Sequence, residues 1–183
     1  MRRTFGIFIV AIAIVLSSCT KQSELVGIVQ LHQDNRLTIL NPIDDTQHTL
    51  IVEPSSVEYG QWLPYGTPVV VTYTGRLADG IKAKSVAADK TYVAAVGKWI
   101  TSSADDATSE LGVELMGGGR AVVIGGDKAL IHSWEPQGED NTLLLKGRAA
   151  DGSEVIRAAV ISEEQGMLFL TIEDDDNLYR KVL

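Results

Sequence analysis

One cysteine in 183 residues leaves the chain unable to form an internal disulfide, so no covalent staple holds the fold. Histidine is almost as scarce. His32, His48 and His132 are scattered along the chain, without the clustered ligand spacing of a zinc site. No Gly-x-Ser-x-Gly elbow is present, which removes the commonest frame for a serine nucleophile. Basic residues are outnumbered, 16 against 24 acidic for a net charge of −8, so the electrostatic footprint of a nucleic-acid or anionic-lipid binder is missing. Carboxylates are abundant, but abundance in an acidic chain does not set two of them across a cleft. These absences lead us to expect no catalytic residues, no metal, no cofactor and no nucleic-acid partner. Stability must then come from apolar cores, which a 45% hydrophobic content can supply.

The apolar run that does occur is at the start. Arg2 and Arg3 precede an uncharged stretch from Phe5 to Leu16, and Leu16-Ser17-Ser18-Cys19 follows. Positive, apolar and small-residue regions in that order form a secretory signal. As a helix the roughly 12-residue run spans about 18 Å, well short of roughly 30 Å of hydrocarbon, so it is not a transmembrane anchor. The tetrapeptide resembles the lipobox of bacterial lipoproteins. That resemblance implies cleavage before Cys19, acylation of its thiol, and attachment to a membrane of the cell envelope, the outer rather than the inner. Processing would leave about 164 residues with 14 basic against 24 acidic groups, a net charge near −10.

Past the signal, glycine is frequent and β-branched runs recur every 8 to 12 residues between turn residues, a spacing that predicts an all-β protein. No stretch reads as a confident helix; 103–109 allows one short turn. Strands are expected at 25–31, 36–40, 47–52, 68–75 and 81–87, with hairpin turns at Asp34-Asn35 and a type I′ turn at Asp79-Gly80. Five strands in this length fit a small OB-like barrel. The polar segment Ala88-Asp89-Lys90-Thr91 then marks a boundary. Eight further strands follow, at 96–101, 111–116, 120–124, 130–134, 142–148, 154–161, 167–173 and 178–182. They fit an up-and-down barrel. The expected divisions are thus a signal at 1–19, a small barrel at 20–90 and a second barrel at 91–183.

In the second half Gly97-Lys98-Trp99 opens the first strand as the Gly-x-Trp motif opens a lipocalin barrel, and Arg180 stands on the last strand. Together with Leu130-Ile131-His132-Ser133-Trp134 and Leu143-Leu144-Leu145-Lys146-Gly147, this half resembles the small lipocalin-like domains of Bacteroidetes lipoproteins. The resemblance implies that Arg180 packs over Trp99 at a closed barrel end. Transport lipocalins are about twice as long, which argues against a deep ligand chamber here.

Glycine runs at Gly117-Gly118-Gly119 and Gly125-Gly126 have strands on both sides and no following helix, so they read as turns rather than phosphate loops. Glu173-Asp174-Asp175-Asp176-Asn177 lacks the ligand spacing of a calcium loop and reads as a hairpin tip. Strand alternation places Leu130, His132 and Trp134 on one face: core if inward, a recognition surface if outward. The second barrel has a large apolar supply in Val96, Leu111, Val113, Leu115, Val122, Ile124, Leu130, Leu143, Leu145, Val155, Val160, Leu168, Leu170 and Ile172. Alternation is expected to send about half of these inward, enough to fill the interior. Trp62 and Tyr65 sit in a proline-bearing loop, where they either pack on the first barrel or mark a partner or sugar site. The sequence therefore describes a lipid-anchored, non-enzymatic binding or accessory module. Alternatives are an inhibitor or assembly partner of an envelope enzyme, or a carrier of a small lipophilic ligand.

Overall fold

The computed structural model describes residues 22–58, 62–102, 110–125, 130–138 and 141–182. Cys19, the 103–109 segment and the Gly126-Asp127 pair lie outside them. Among the described residues the protein is nearly all β, in two groupings.

Strands β1 (Gln22–Gln33), β2 (Arg36–Leu40), β3 (Gln47–Ile51), β4 (Pro68–Thr74) and β5 (Ala83–Ala88) form one antiparallel sheet in the order β3-β2-β1-β4-β5. Period-2 patterning builds it: Leu37, Ile39, Leu50, Val71 and Val86 face inward and are fully buried. The β1–β2 register shifts between Val29 and Leu31, and this bulge turns His32 inward as well as Val29. The two sheet edges approach each other. Ile51 bridges Lys82 in parallel, and the Ile51 amide donates to the Ile81 carbonyl at 2.9 Å. Val57, just past a 3₁₀ turn at Pro54–Ser56, bridges Val86 in the same sense. The result is a five-stranded, partly closed barrel of the expected kind.

Asp79-Gly80 departs from expectation. Gly80 has φ of 78°, but Asp79 does not share the positive φ that a type I′ turn needs at both central residues. The cause is length: residues 75–82 form a long connection, and the Asp79 carboxylate accepts the Thr49 amide of β3 (3.0 Å) instead of closing a tight hairpin.

The polar break after β5 is a helix, α1 (Lys90–Ala95), where the sequence predicts none. Asp89 caps it, accepting the Tyr92 amide at 2.8 Å. A six-residue helix is too short to persist by itself, so packing on both sides sustains it. Val93 lies against the first core, while Tyr92 and Ala95 belong to the second.

Strands β6 (Gly97–Ser102), β7 (Glu110–Met116), β8 (Arg120–Ile124), β9 (Leu130–Gln137), β10 (Thr142–Arg148), β11 (Glu154–Glu164), β12 (Met167–Ile172) and β13 (Leu178–Val182) each run antiparallel to the next. β13 returns to β6, with Lys181 opposite Trp99, and closes an eight-stranded up-and-down barrel. Eight strands leave an interior just wide enough for side chains. Trp99, Leu115, Leu143 and Leu170 fill it at 0% exposure. Among the apolar strand residues, Val122, Leu130 and Val160 lie on the outside. For Val122 and Val160 the buried neighbours Ala121, Ala159 and Ile161 hold the inward phase. For Leu130 the cause is a bulge. The β9–β10 register shifts between Lys146, opposite Ser133, and Gly147, opposite Ile131. Leu130 and His132 therefore face solvent while Trp134 turns inward.

Candidate functional site

Three places bring functional side chains together: the closed end of the barrel, its open mouth, and the loop where the two barrels meet. The closed end is a plug. The Trp99 indole N–H donates to the Ala95 carbonyl of α1 at 2.8 Å. Lys181, not Arg180, covers the ring: its ammonium lies 5.5 Å from the ring centroid and donates to the Ala94 carbonyl at 2.6 Å. Strand alternation sends Tyr179 and Lys181 inward and leaves Arg180 exposed opposite Ile100. Gly97 has a physical reason in this arrangement, because a Cβ there would come within 2.8 Å of the Lys181 Cε. Burial lowers the pKa of Lys181.

At the other end of the barrel, Leu111, Val113, Val123, Ile131 and Ile172 line an apolar cavity of about 50 Å³, with Arg157, Asp175 and Tyr179 at its polar side. At roughly 10–15 Å³ per water it holds only a few solvent molecules or one small group. The Tyr179 hydroxyl donates to Asp175 Oδ2 at 2.7 Å, and Asp175 Oδ1 accepts the Asn177 amide and side chain. The acidic tip is thus tied to the mouth by one tyrosine, which sequence reading missed although Asp175-x-Asn177 is a recognisable Asx turn. No group of three or more metal-ligating side chains occurs among the described residues.

Burial first, then the hydrogen bond to Asp175 and its negative charge, raise the Tyr179 pKa well above the ordinary tyrosine value. A raised folded-state pKa means that above about pH 10 the unfolded chain loses the proton first, so stability falls as pH rises through that range. Lys181, with its lowered pKa, acts in the opposite sense. Comparison of the protein with its Tyr179→Phe variant isolates the tyrosine. Urea midpoints should fall more steeply between pH 9 and 11 in the unmodified protein. Parallel slopes would refute this role.

The third place is the loop between the 3₁₀ turn and β4. Its interior residues are anchored. The Leu63 amide donates to His32 Nδ1 at 2.9 Å, which requires the neutral ring protonated at Nε2, and burial lowers that histidine's pKa. The Gly66 amide donates to the Val29 carbonyl, and the Thr67 hydroxyl to the Pro64 carbonyl. From the other barrel, the Tyr92 hydroxyl donates to the Tyr65 carbonyl at 3.1 Å and accepts the Gly118 amide at 2.7 Å. The Tyr65 ring rests on the Gly117–Gly119 turn. A Cβ on Gly118 would approach its Cε1 to 2.9 Å, and one on Gly117 would collide with the Tyr65 carbonyl oxygen. Tyr92 also contacts Trp134, ring centroids 4.8 Å apart, and the Trp134 indole donates to the Met116 carbonyl. Against this ordered background Trp62 is 63% and Tyr65 54% exposed. Of the four candidate binding residues, then, Trp134 is core, His132 lies on the barrel exterior, and Trp62 and Tyr65 share the anchored loop.

A shallow groove of about 650 Å³ also borders β5, between Ser55, Ser56, Thr74 and Lys84. Its Lys82 is neutralised by Glu53 at 2.6 Å.

The geometry defines a closed, eight-stranded up-and-down barrel joined through α1 to a five-stranded antiparallel unit. No family model matches the chain, and no curated protein matches it. It is similar to a solved lipocalin-like protein from Bacteroides thetaiotaomicron VPI-5482, with 22% identity and a TM-score of 0.39. The match covers 48% of this chain and 96% of that one.

Proposed function

We propose that this protein is a lipid-anchored, non-enzymatic binding module of the cell envelope, tethered through Cys19 and presenting the Trp62–Tyr65 loop to a partner. The observation that carries the reading is the pairing of two exposed aromatic rings with a loop whose backbone is pinned from both barrels. Large rings exposed to water on an ordered loop are a recurrent mark of recognition surfaces. The filled barrel interior favours this accessory role over carriage of a lipophilic molecule, since about 50 Å³ is too little for one. The anchor rests on the charged, apolar and small-residue order that ends in the lone cysteine.

One experiment tests both parts. A photo-cross-linking amino acid at position 65 should give a discrete adduct in intact cells, and the protein should sediment with membranes. Cys19→Ala should move the protein out of the membrane fraction or leave it unprocessed, and diminish the adduct. Unchanged membrane association at the same mature mass would refute the anchor. Absence of any adduct, to protein or to glycan, together with absence of glycan binding would refute the surface.

A further inference from the structure

Resting on that reading of the loop, we propose that the Trp62–Tyr65 surface binds an uncharged oligosaccharide. Four observations lead there. First, the exposed apolar surface of the segment reduces to the two rings: Leu63 and Pro64 between them, and Thr67 after them, are buried. A protein partner draws its affinity from a contiguous apolar centre ringed by further contacts, on a patch of about 800 Å². Two rings on a six-residue segment fall well short of that area. Second, both rings keep a polar edge free of the described residues. Neither the Trp62 indole N–H nor the Tyr65 hydroxyl bonds any described residue, so each offers a flat apolar face beside a hydrogen-bonding group. A pyranose presents the complementary pair, a C–H face for stacking and hydroxyls at its edge.

Third, the segment from Trp62 to Thr67 carries no charged residue, and the chain as a whole is acidic, which disfavours anionic ligands. Fourth, the backbone that carries the rings is fixed. His32 holds the amide next to Trp62, while Tyr92 and the glycine turn hold Tyr65, so little conformational freedom is lost on binding. Trp62 and Tyr65 stand three positions apart, at most roughly 10 Å along the chain. That separation suits neighbouring rings of a short oligomer better than a single sugar.

The test is titration of the purified protein with α- and β-linked gluco-, manno- and galacto-oligosaccharides, including maltohexaose and cellohexaose. It is read by intrinsic fluorescence and calorimetry, with a sulfated chondroitin oligomer as the anionic probe. Saturable binding of at least one neutral oligomer is expected, weakened at least tenfold in Trp62→Ala and in Tyr65→Ala. Because the Trp62 side chain is exposed and seated on nothing described, the thermal midpoint of Trp62→Ala should stay close to the parent, which separates lost binding from lost folding. Tyr65→Ala also removes the ring seated on the glycine turn, so its binding loss counts only where circular dichroism shows the native fold. No saturable binding of any neutral oligomer at millimolar concentration would overturn the inference. So would binding that both variants retain, or binding of the sulfated oligomer alone. If instead the position-65 cross-linker captures a protein while every neutral glycan fails, the oligosaccharide inference falls and the binding-module reading stands. If neither glycan nor adduct is found, both fall.

Discussion

Replacing Trp99 by alanine should destabilise the second barrel by about 3–5 kcal/mol, the usual range for deleting a buried large aromatic side chain. Three losses coincide at this position. The largest ring in the interior disappears from a site of 0% exposure. The Ala95 carbonyl loses its indole donor, freeing one end of α1. Lys181 then keeps its bond to the Ala94 carbonyl but loses the ring beneath its ammonium. Neighbouring strands cannot collapse into the gap, because a barrel closed by continuous ladders has little freedom to contract. Trp99→Phe should recover part of the packing but not the indole bond, and fall between the two. Guanidinium unfolding followed by circular dichroism reads the difference. A loss below about 1 kcal/mol in the alanine variant would show that Trp99 is not the plug. Arg180→Ala serves as the contrast, expected within about 0.5 kcal/mol of the parent because that side chain points to solvent.

Strand positions were legible in this sequence because period-2 burial writes itself into residue order. β2 at Arg36–Leu40, β8 at Arg120–Ile124, β10 at Thr142–Arg148 and β13 at Leu178–Val182 coincide with their expected bounds. What was not legible depends on partners distant in sequence. The phase of β9 reverses at a bulge set by its pairing with β10, so Leu130 and His132 part company from Trp134. The choice between Arg180 and Lys181 turns on a single residue of β13 register, which a motif match cannot resolve but which the inward Tyr179 fixes. Helix α1 was invisible as a helix because its stability lies in two cores rather than in its own six residues. Its start was nevertheless written in Asp89, three positions before Tyr92. The exposure of Trp62 and Tyr65 likewise emerges only once the bulge in β1 has turned His32 inward to hold the loop.

Tyr92 is where the two barrels are joined, and Tyr92→Ala should cost about 3–5 kcal/mol, comparable to the loss of Trp99. Its ring is 5% exposed in the second core and contacts Trp134. Its hydroxyl connects the Tyr65 carbonyl of one barrel to the Gly118 amide of the other. Burial is also the main cause of the raised pKa of this phenol, so the hydroxyl stays protonated and available as a donor at neutral pH. Tyr92→Phe separates the two contributions. It keeps the ring and removes the bridge, leaving a carbonyl and an amide without their partner, at an expected cost of about 1–3 kcal/mol. The effect should also be local in a way that core deletion is not. Loss of the bridge releases Tyr65 and the glycine turn, so amide exchange of Gly118 should accelerate in Tyr92→Phe, while amides in the middle of β2 and β12 keep their protection. A Phe variant with unchanged exchange at Gly118 would mean that glycine packing alone seats Tyr65. Acceleration spread evenly over both barrels would mean that Tyr92 acts as ordinary core rather than as the joint between them.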